Sequence, residues 1–145
     1  MNLRKFEEFE NAGIVKRQTP NKKRALSLIE EAKKKKEFLE LSIKAIPAEK
    51  MSPNFIVDNC YDIIMELIRA KMFLNGYNAG NSHEAEVAYM FKLGFQETEI
   101  KIMDEMRYFR NGIKYYGTIL DKEYAEKSLG FLNKLYNKLL KMIGA

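Results

Sequence analysis

The chain has 145 residues, of which 46% are hydrophobic and 31% charged, with a formal charge of +5. This length suits one domain around one core, and the composition excludes intrinsic disorder. No apolar run approaches the roughly 20 residues needed to cross a bilayer. The start, Met1 to Glu8, has no apolar signal segment, so the expectation is a soluble cytoplasmic protein with no membrane partner.

A short amphipathic helix is predicted near Asn2–Asn11, within an N-terminal extension over 1–18 of a single domain spanning 1–145. Only three prolines occur, each where a helix should start or stop. Thr19-Pro20 and Ser52-Pro53 read as an N-cap followed by proline at the first helical position, and Pro47 closes the segment between them. From Ala25 the apolar residues Leu28, Ile29, Ala32, Leu39 and Ile43 keep the spacing of one helical face. Lys33–Lys36 interrupt it, as solvated helix surface or as a phosphate-contacting patch.

The next helix runs from about Pro53 to Leu74, with Val57, Cys60, Tyr61, Ile64, Leu67 and Ile68 on one face. Asn75-Gly76 ends it, because glycine accepts the left-handed conformation that closes a helix. The loop through Asn81 leads to Ser82, the cap of a short helix reaching Lys92, and Gly94 marks the following break. A long helix is predicted from about Gln96 to Tyr116, ending at Gly117. Asp121 then caps a last helix that turns Ala125, Leu129, Leu132, Leu135, Tyr136, Leu139 and Met142 inward. No segment alternates with the two-residue period of a half-buried strand. The fold class is therefore all-α, an up-and-down bundle of about five main helices with a short N-terminal helix.

Much familiar chemistry is missing. With one histidine and one cysteine, a zinc site of the Cys/His kind cannot form within one chain, and Cys60 on its apolar stripe reads as a buried structural thiol. Nucleophilic catalysis would have to use His83, and no nucleophile-elbow pattern accompanies it. Neither a phosphate-binding glycine loop nor a dinucleotide fingerprint is present, and the repeated Glu-x-x-His of di-iron bundles is missing. The expectation is no metal and no cofactor. Residues 1–50 and 101–145 are basic and 51–100 acidic, a balance that permits contact with phosphate-rich partners without requiring it.

One helix carries more than packing. At about 100° per residue, Ile102, Met106, Phe109, Ile113 and Tyr116 share a face expected in the core. Arg110 lies at the edge of that stripe, flanked by Arg107 and Lys114. Asn111 and Tyr115, four residues apart, stack on the adjoining side with Asp104 and Tyr108. This sets a cationic strip beside a strip of amide and phenol groups, suited to holding a phosphate on one and a base or ribose on the other. The alternative has Arg110 lying over the core rim and the tyrosines padding a helix or dimer contact. Gly112 in mid-helix costs about 1 kcal/mol relative to alanine, which suggests close approach by another chain or a ligand.

The order Gly76-Tyr77, Ser82-His83-Glu84 before a short helix, then Phe109-Arg110-Asn111-Gly112-Ile113-Lys114-Tyr115-Tyr116-Gly117, resembles the HEPN domain family ("higher eukaryotes and prokaryotes nucleotide-binding") over roughly Pro20 to Ile143. The resemblance implies a helical bundle, usually a homodimer, that binds nucleotide or RNA. It also implies a place in a toxin–antitoxin or defence module, opposite a small nucleotidyltransferase antitoxin. Many such proteins are metal-independent ribonucleases whose motif is arginine, a polar residue, a few spacers, then histidine. Arg110 and Asn111 match its start, while Tyr115 stands where the histidine is expected. A phenol, which ordinarily holds its proton to about pH 10, does not exchange protons at neutral pH as imidazole does. The branch with tyrosine at this position is the nearer likeness, and ribonuclease activity is expected to be weak or absent. The catalytic candidates are Arg110 and Tyr115; the binding candidates are Arg107, Tyr108, Arg110, Asn111, Lys114 and Tyr115. His83 is a secondary candidate, its ordinary role being structural. A plain interaction module that binds a nucleotidyltransferase or another protein is the alternative function.

Overall fold

The computed structural model describes residues 2–144. Six helices dominate: α1 (Phe6–Asn11), α2 (Lys22–Ala45), α3 (Pro53–Leu74), α4 (His83–Lys92), α5 (Glu97–Tyr116) and α6 (Lys122–Ile143). The protein is an all-α bundle of five substantial helices and one short one. Among the described residues no helix is long and apolar enough to cross a membrane.

Local chemistry sets most of the borders. The Ser52 Oγ accepts the Phe55 N–H at 3.3 Å and Pro53 occupies the first turn of α3, where its missing N–H costs nothing. Ser82 Oγ caps α4 through the Ala85 N–H at 3.1 Å, and Asp121 caps α6 through the Tyr124 N–H at 2.8 Å. At the start of α5 the Gln96 N–H donates to the Glu99 carboxylate at 3.0 Å.

The start of α2 departs from expectation. Its cap is Asn21, whose side chain accepts the Arg24 N–H at 3.0 Å, not Thr19 with Pro20 in the first turn. The cause is a tether: the Gln18 N–H donates to the Gly76 carbonyl at 2.8 Å and the Asn21 N–H to the Phe73 carbonyl at 3.0 Å. These bonds keep residues 18–21 out of the helix and tied to the end of α3. Just before them a two-residue strand, β1 (Lys16–Arg17), pairs antiparallel with β2 (Tyr77–Asn78). Gly76 makes the approach possible: its φ is +80°, and a Cβ there would lie 2.6 Å from the Gln18 carbonyl oxygen.

Helix α3 is the axis of the bundle. It packs against α2 and α6, and α4 and α5 complete the enclosure. Its residues Val57, Cys60, Tyr61, Ile63, Ile64, Leu67 and Ile68 are all buried. Burial pushes the Cys60 thiol up to about 12, so it stays protonated and inert. The N-terminal extension joins the core: Phe6 and Phe9 of α1 are fully buried, and Phe6 meets Tyr77 edge-on at 5.2 Å. Two lysines of the Lys33–Lys36 run are engaged within the chain, Lys35 with Glu66 on α3 and Lys36 with Glu40 one turn on.

Candidate functional site

The polar face of α5 is positioned by its apolar one. Ile100, Met103 and Met106 are buried, and Phe109 sits edge-on to Tyr124 of α6 at 4.9 Å. Beyond Phe109 the helix rises out of the core. Ile113 is half-buried, and Tyr116, expected inside, is 85% exposed. The reason lies in the segment after it. Gly117 turns left-handed with φ +66°, and Asn54 of α3 clamps the returning chain, its Nδ2 donating to the Thr118 carbonyl at 2.8 Å and its Oδ1 accepting the Leu120 N–H at 2.8 Å. This return brings Thr118 back against Gly112, one turn before Tyr116. Gly112 is explained here as well: a Cβ on it would lie 2.7 Å from the Thr118 Oγ1, so the close approach is made by the chain itself.

The tyrosine face lines a cavity. Tyr108, Phe109, Asn111, Gly112, Tyr115, Tyr116 and Thr118 wall a cavity of about 610 Å³. Tyr108 is 72% and Tyr115 69% exposed, so aromatic faces are presented to solvent with an amide beside them. The charged strip is arranged differently. Arg110 is only 16% exposed in its side chain and donates from Nε to Asp58 at 3.1 Å and from a terminal nitrogen to Asp62 at 3.4 Å. Its guanidinium also lies 5.5 Å from the Tyr61 ring centre. Burial alone would loosen its proton, but the Asp58 hydrogen bond and the two aspartate charges reverse that and raise its pKa. Arg107 is held by Asp104 of its own helix at 2.9 Å. Lys114 is exposed and makes no ion pair among the described residues. Thus Tyr108, Asn111 and Tyr115 come together around the cavity, while Arg107 and Arg110 are turned to carboxylates and, like Lys114, do not line it.

Asn54, Asp58 and Asp62 were not anticipated. Their spacing of four residues is a polar stripe on an otherwise apolar helix, and that was the available signal. Asp62 has its pKa raised by burial and by the charge of Asp58, with Arg110 offsetting only part of this.

His83 lies elsewhere. It opens α4 and its Nδ1 is 2.9 Å from the carboxylate of Glu86, which is 1% exposed and also receives two N–H groups of Arg69, one at 2.9 Å. Burial alone would raise the Glu86 pKa, but the hydrogen bonds from His83 and Arg69 more than cancel it, and the carboxylate is charged. Buried Tyr61 links the two regions: burial and the charge of Glu86 push its hydroxyl up, while Arg110 and Arg107 pull the other way. Among the described residues no group of three or more His, Cys, Asp or Glu is placed to hold a metal. Comparisons with known proteins give no match to a family model, to a curated protein or to a solved structure.

Proposed function

We propose that the chain is a HEPN-type nucleotide- or RNA-binding bundle whose α5 face receives a base. The observation that carries this reading is the cavity of about 610 Å³ walled by Tyr108, Tyr115 and Tyr116 with Asn111 at its side. Exposed phenol rings are costly to leave in water and are suited to stacking on any base, while the amide reads a base edge or a ribose hydroxyl. Lys114 supplies an uncommitted cation. Arg110 is held by aspartates that remain partly in water, so an incoming phosphate competes for it without dismantling the core. A cleft shared by the α5 faces of two protomers would double the site. Placement in a toxin–antitoxin or related defence module, with weak or no ribonuclease activity, follows from the resemblance in residues 109–117.

Binding is tested with a fluorescently labelled single-stranded RNA in anisotropy titrations. Stacking contributes about 1–3 kcal/mol per base, so Tyr115→Ala is expected to weaken binding by roughly 5- to 150-fold, and equal affinity in the variant would remove the site. For catalysis, total RNA is incubated with wild type and with Arg110→Ala. Cleavage that survives the substitution would take Arg110 out of the reaction.

A second reading has support of its own. Ile119 is 87% exposed beside Tyr116, an apolar extension of the face that a base does not need and a protein contact does. In that reading the face is an interaction surface for a nucleotidyltransferase or another partner. A titration showing no nucleotide affinity and no salt dependence would favour it, since phosphate contacts release counterions.

A further inference from the structure

A second cavity, of about 280 Å³, lies between the start of α2, the end of α3, the loop after β2 and the start of α4. Its wall includes Arg24, Arg69, Asn78, Asn81, His83 and Glu86. It stands apart from the α5 face: Arg69 is eleven residues, or about 16 Å, along α3 from Asp58.

The side chains are fixed in a way that leaves donors pointing at the cavity. Glu86 takes two N–H groups of Arg69 and the Nδ1 of His83. A charged carboxylate at Nδ1 requires the proton on that nitrogen, which sets the tautomer and turns Nε2 away from Glu86. The remaining N–H groups of Arg69 meet no other carboxylate among the described residues. Arg24 makes no ion pair among the described residues, and its guanidinium rests 4.6 Å from the centre of the Phe73 ring. The loop is held shut by the Asn78 Oδ1, which accepts the Gly80 N–H at 2.8 Å. Two guanidiniums against one carboxylate leave the pocket cationic even with a neutral imidazole. The N-terminal end of α4 adds to the same potential.

We infer that this cavity is a phosphate pocket, in which Arg24 and the free edge of Arg69 hold a phosphomonoester, while Nε2 of His83, an acceptor in that tautomer, takes the O–H of a singly protonated phosphate. A planar guanidinium matches two phosphate oxygens at once. The volume falls below the roughly 300–1,000 Å³ typical of drug-sized ligand sites, so the phosphate enters with only a small part of its ester. Glu86 holds Arg69 and His83 in place and does not touch the ligand.

The test titrates the full chain with inorganic phosphate, followed by calorimetry or by phosphorus NMR. Arg24→Ala is expected to weaken binding at least tenfold, and Lys101→Ala, a charge-matched change on the exposed side of α5, less than twofold. Should Arg24→Ala lower the melting temperature, Arg24→Lys keeps the charge but loses the two-pronged contact, and its affinity is expected to fall between those of wild type and Arg24→Ala. Paired probes then identify the source of the phosphate: 5′-AMP against adenosine, and a short RNA with a 5′-phosphate against the same RNA with a 5′-hydroxyl. Preference for the phosphorylated member of either pair supports the pocket and names its source. Equal binding by wild type and Arg24→Ala, or no discrimination within both pairs, overturns it.

Discussion

The two ends of α3 both join an arginine to carboxylates, and they do so with opposite burial. At the C-terminal end Glu86 is enclosed and Arg69 reaches in from the rim, assisted by His83. Toward the N-terminal end the arginine is the enclosed partner, and Asp58 and Asp62 stand 43% and 31% exposed. A carboxylate sealed in a low-dielectric site depends on its partners for its charge, and removing them strands it. Aspartates in contact with water do not have that dependence, so they can give up their arginine without being stranded. The first arrangement fixes side chains around a pocket; the second encloses a cation between carboxylates that stay in contact with water.

This contrast predicts different outcomes for the same kind of substitution. Glu86→Gln is expected to cost about 3 kcal/mol at neutral pH, the scale for breaking a buried pair, read as a loss of urea midpoint. The Glu86 pKa is lowered by folding, so its contribution is present above the ordinary value of 4.5 and is lost as pH falls through the lower folded value. The gap between wild type and variant should therefore close in acid. A gap that persists unchanged below pH 3 would break the comparison.

Asp62→Asn is expected to cost less than about 1 kcal/mol, with the opposite pH trend. Folding raises the Asp62 pKa above its ordinary 3.8, so ionising it weakens the folded state. The variant should gain on wild type as pH rises through that raised value, in the same urea measurements.

Gly112→Ala tests the loop that frames the tyrosine face. Alanine favours helix by about 1 kcal/mol, but its Cβ meets the Thr118 Oγ1 at 2.7 Å. The substitution is expected to be neutral or destabilising alone and to recover roughly 0.5–1 kcal/mol in a Thr118→Ala background, as a double-mutant cycle would show. The smallest effect concerns Tyr108→Ala, expected to change stability by less than about 0.5 kcal/mol, because the ring packs on little besides Phe109 at 5.6 Å. A large loss of melting temperature would make that tyrosine structural.

The bundle was readable because its helix borders are local. Ser52-Pro53 and Asn75-Gly76 bracket α3 to the residue, and Ser82 and Asp121 cap where they were expected to. The misreadings are all long-range. Thr19-Pro20 has the pattern of a helix start, but its segment is bonded to Gly76 across the chain. Strands of two residues have no periodicity to detect. Tyr116 keeps the spacing of the buried stripe but lies outside, in the last turn of α5 before the left-handed Gly117, where Asn54 ties the returning chain back to α3. In the candidate site, the aromatic strip follows from helical spacing alone and was legible. The pairing of Arg110 with Asp58 and Asp62 depends on how α5 crosses α3, which spacing within one helix does not set.

Ultraviolet crosslinking of single-stranded RNA to the full chain, with the crosslinked peptides mapped by mass spectrometry, tests the central claim most directly. The account predicts adducts within 108–116, on Tyr108, Tyr115 or Tyr116, that disappear when all three tyrosines are changed to alanine. Adducts confined to Lys33–Lys36 or to α6, or none under conditions where RNA binds, would contradict it.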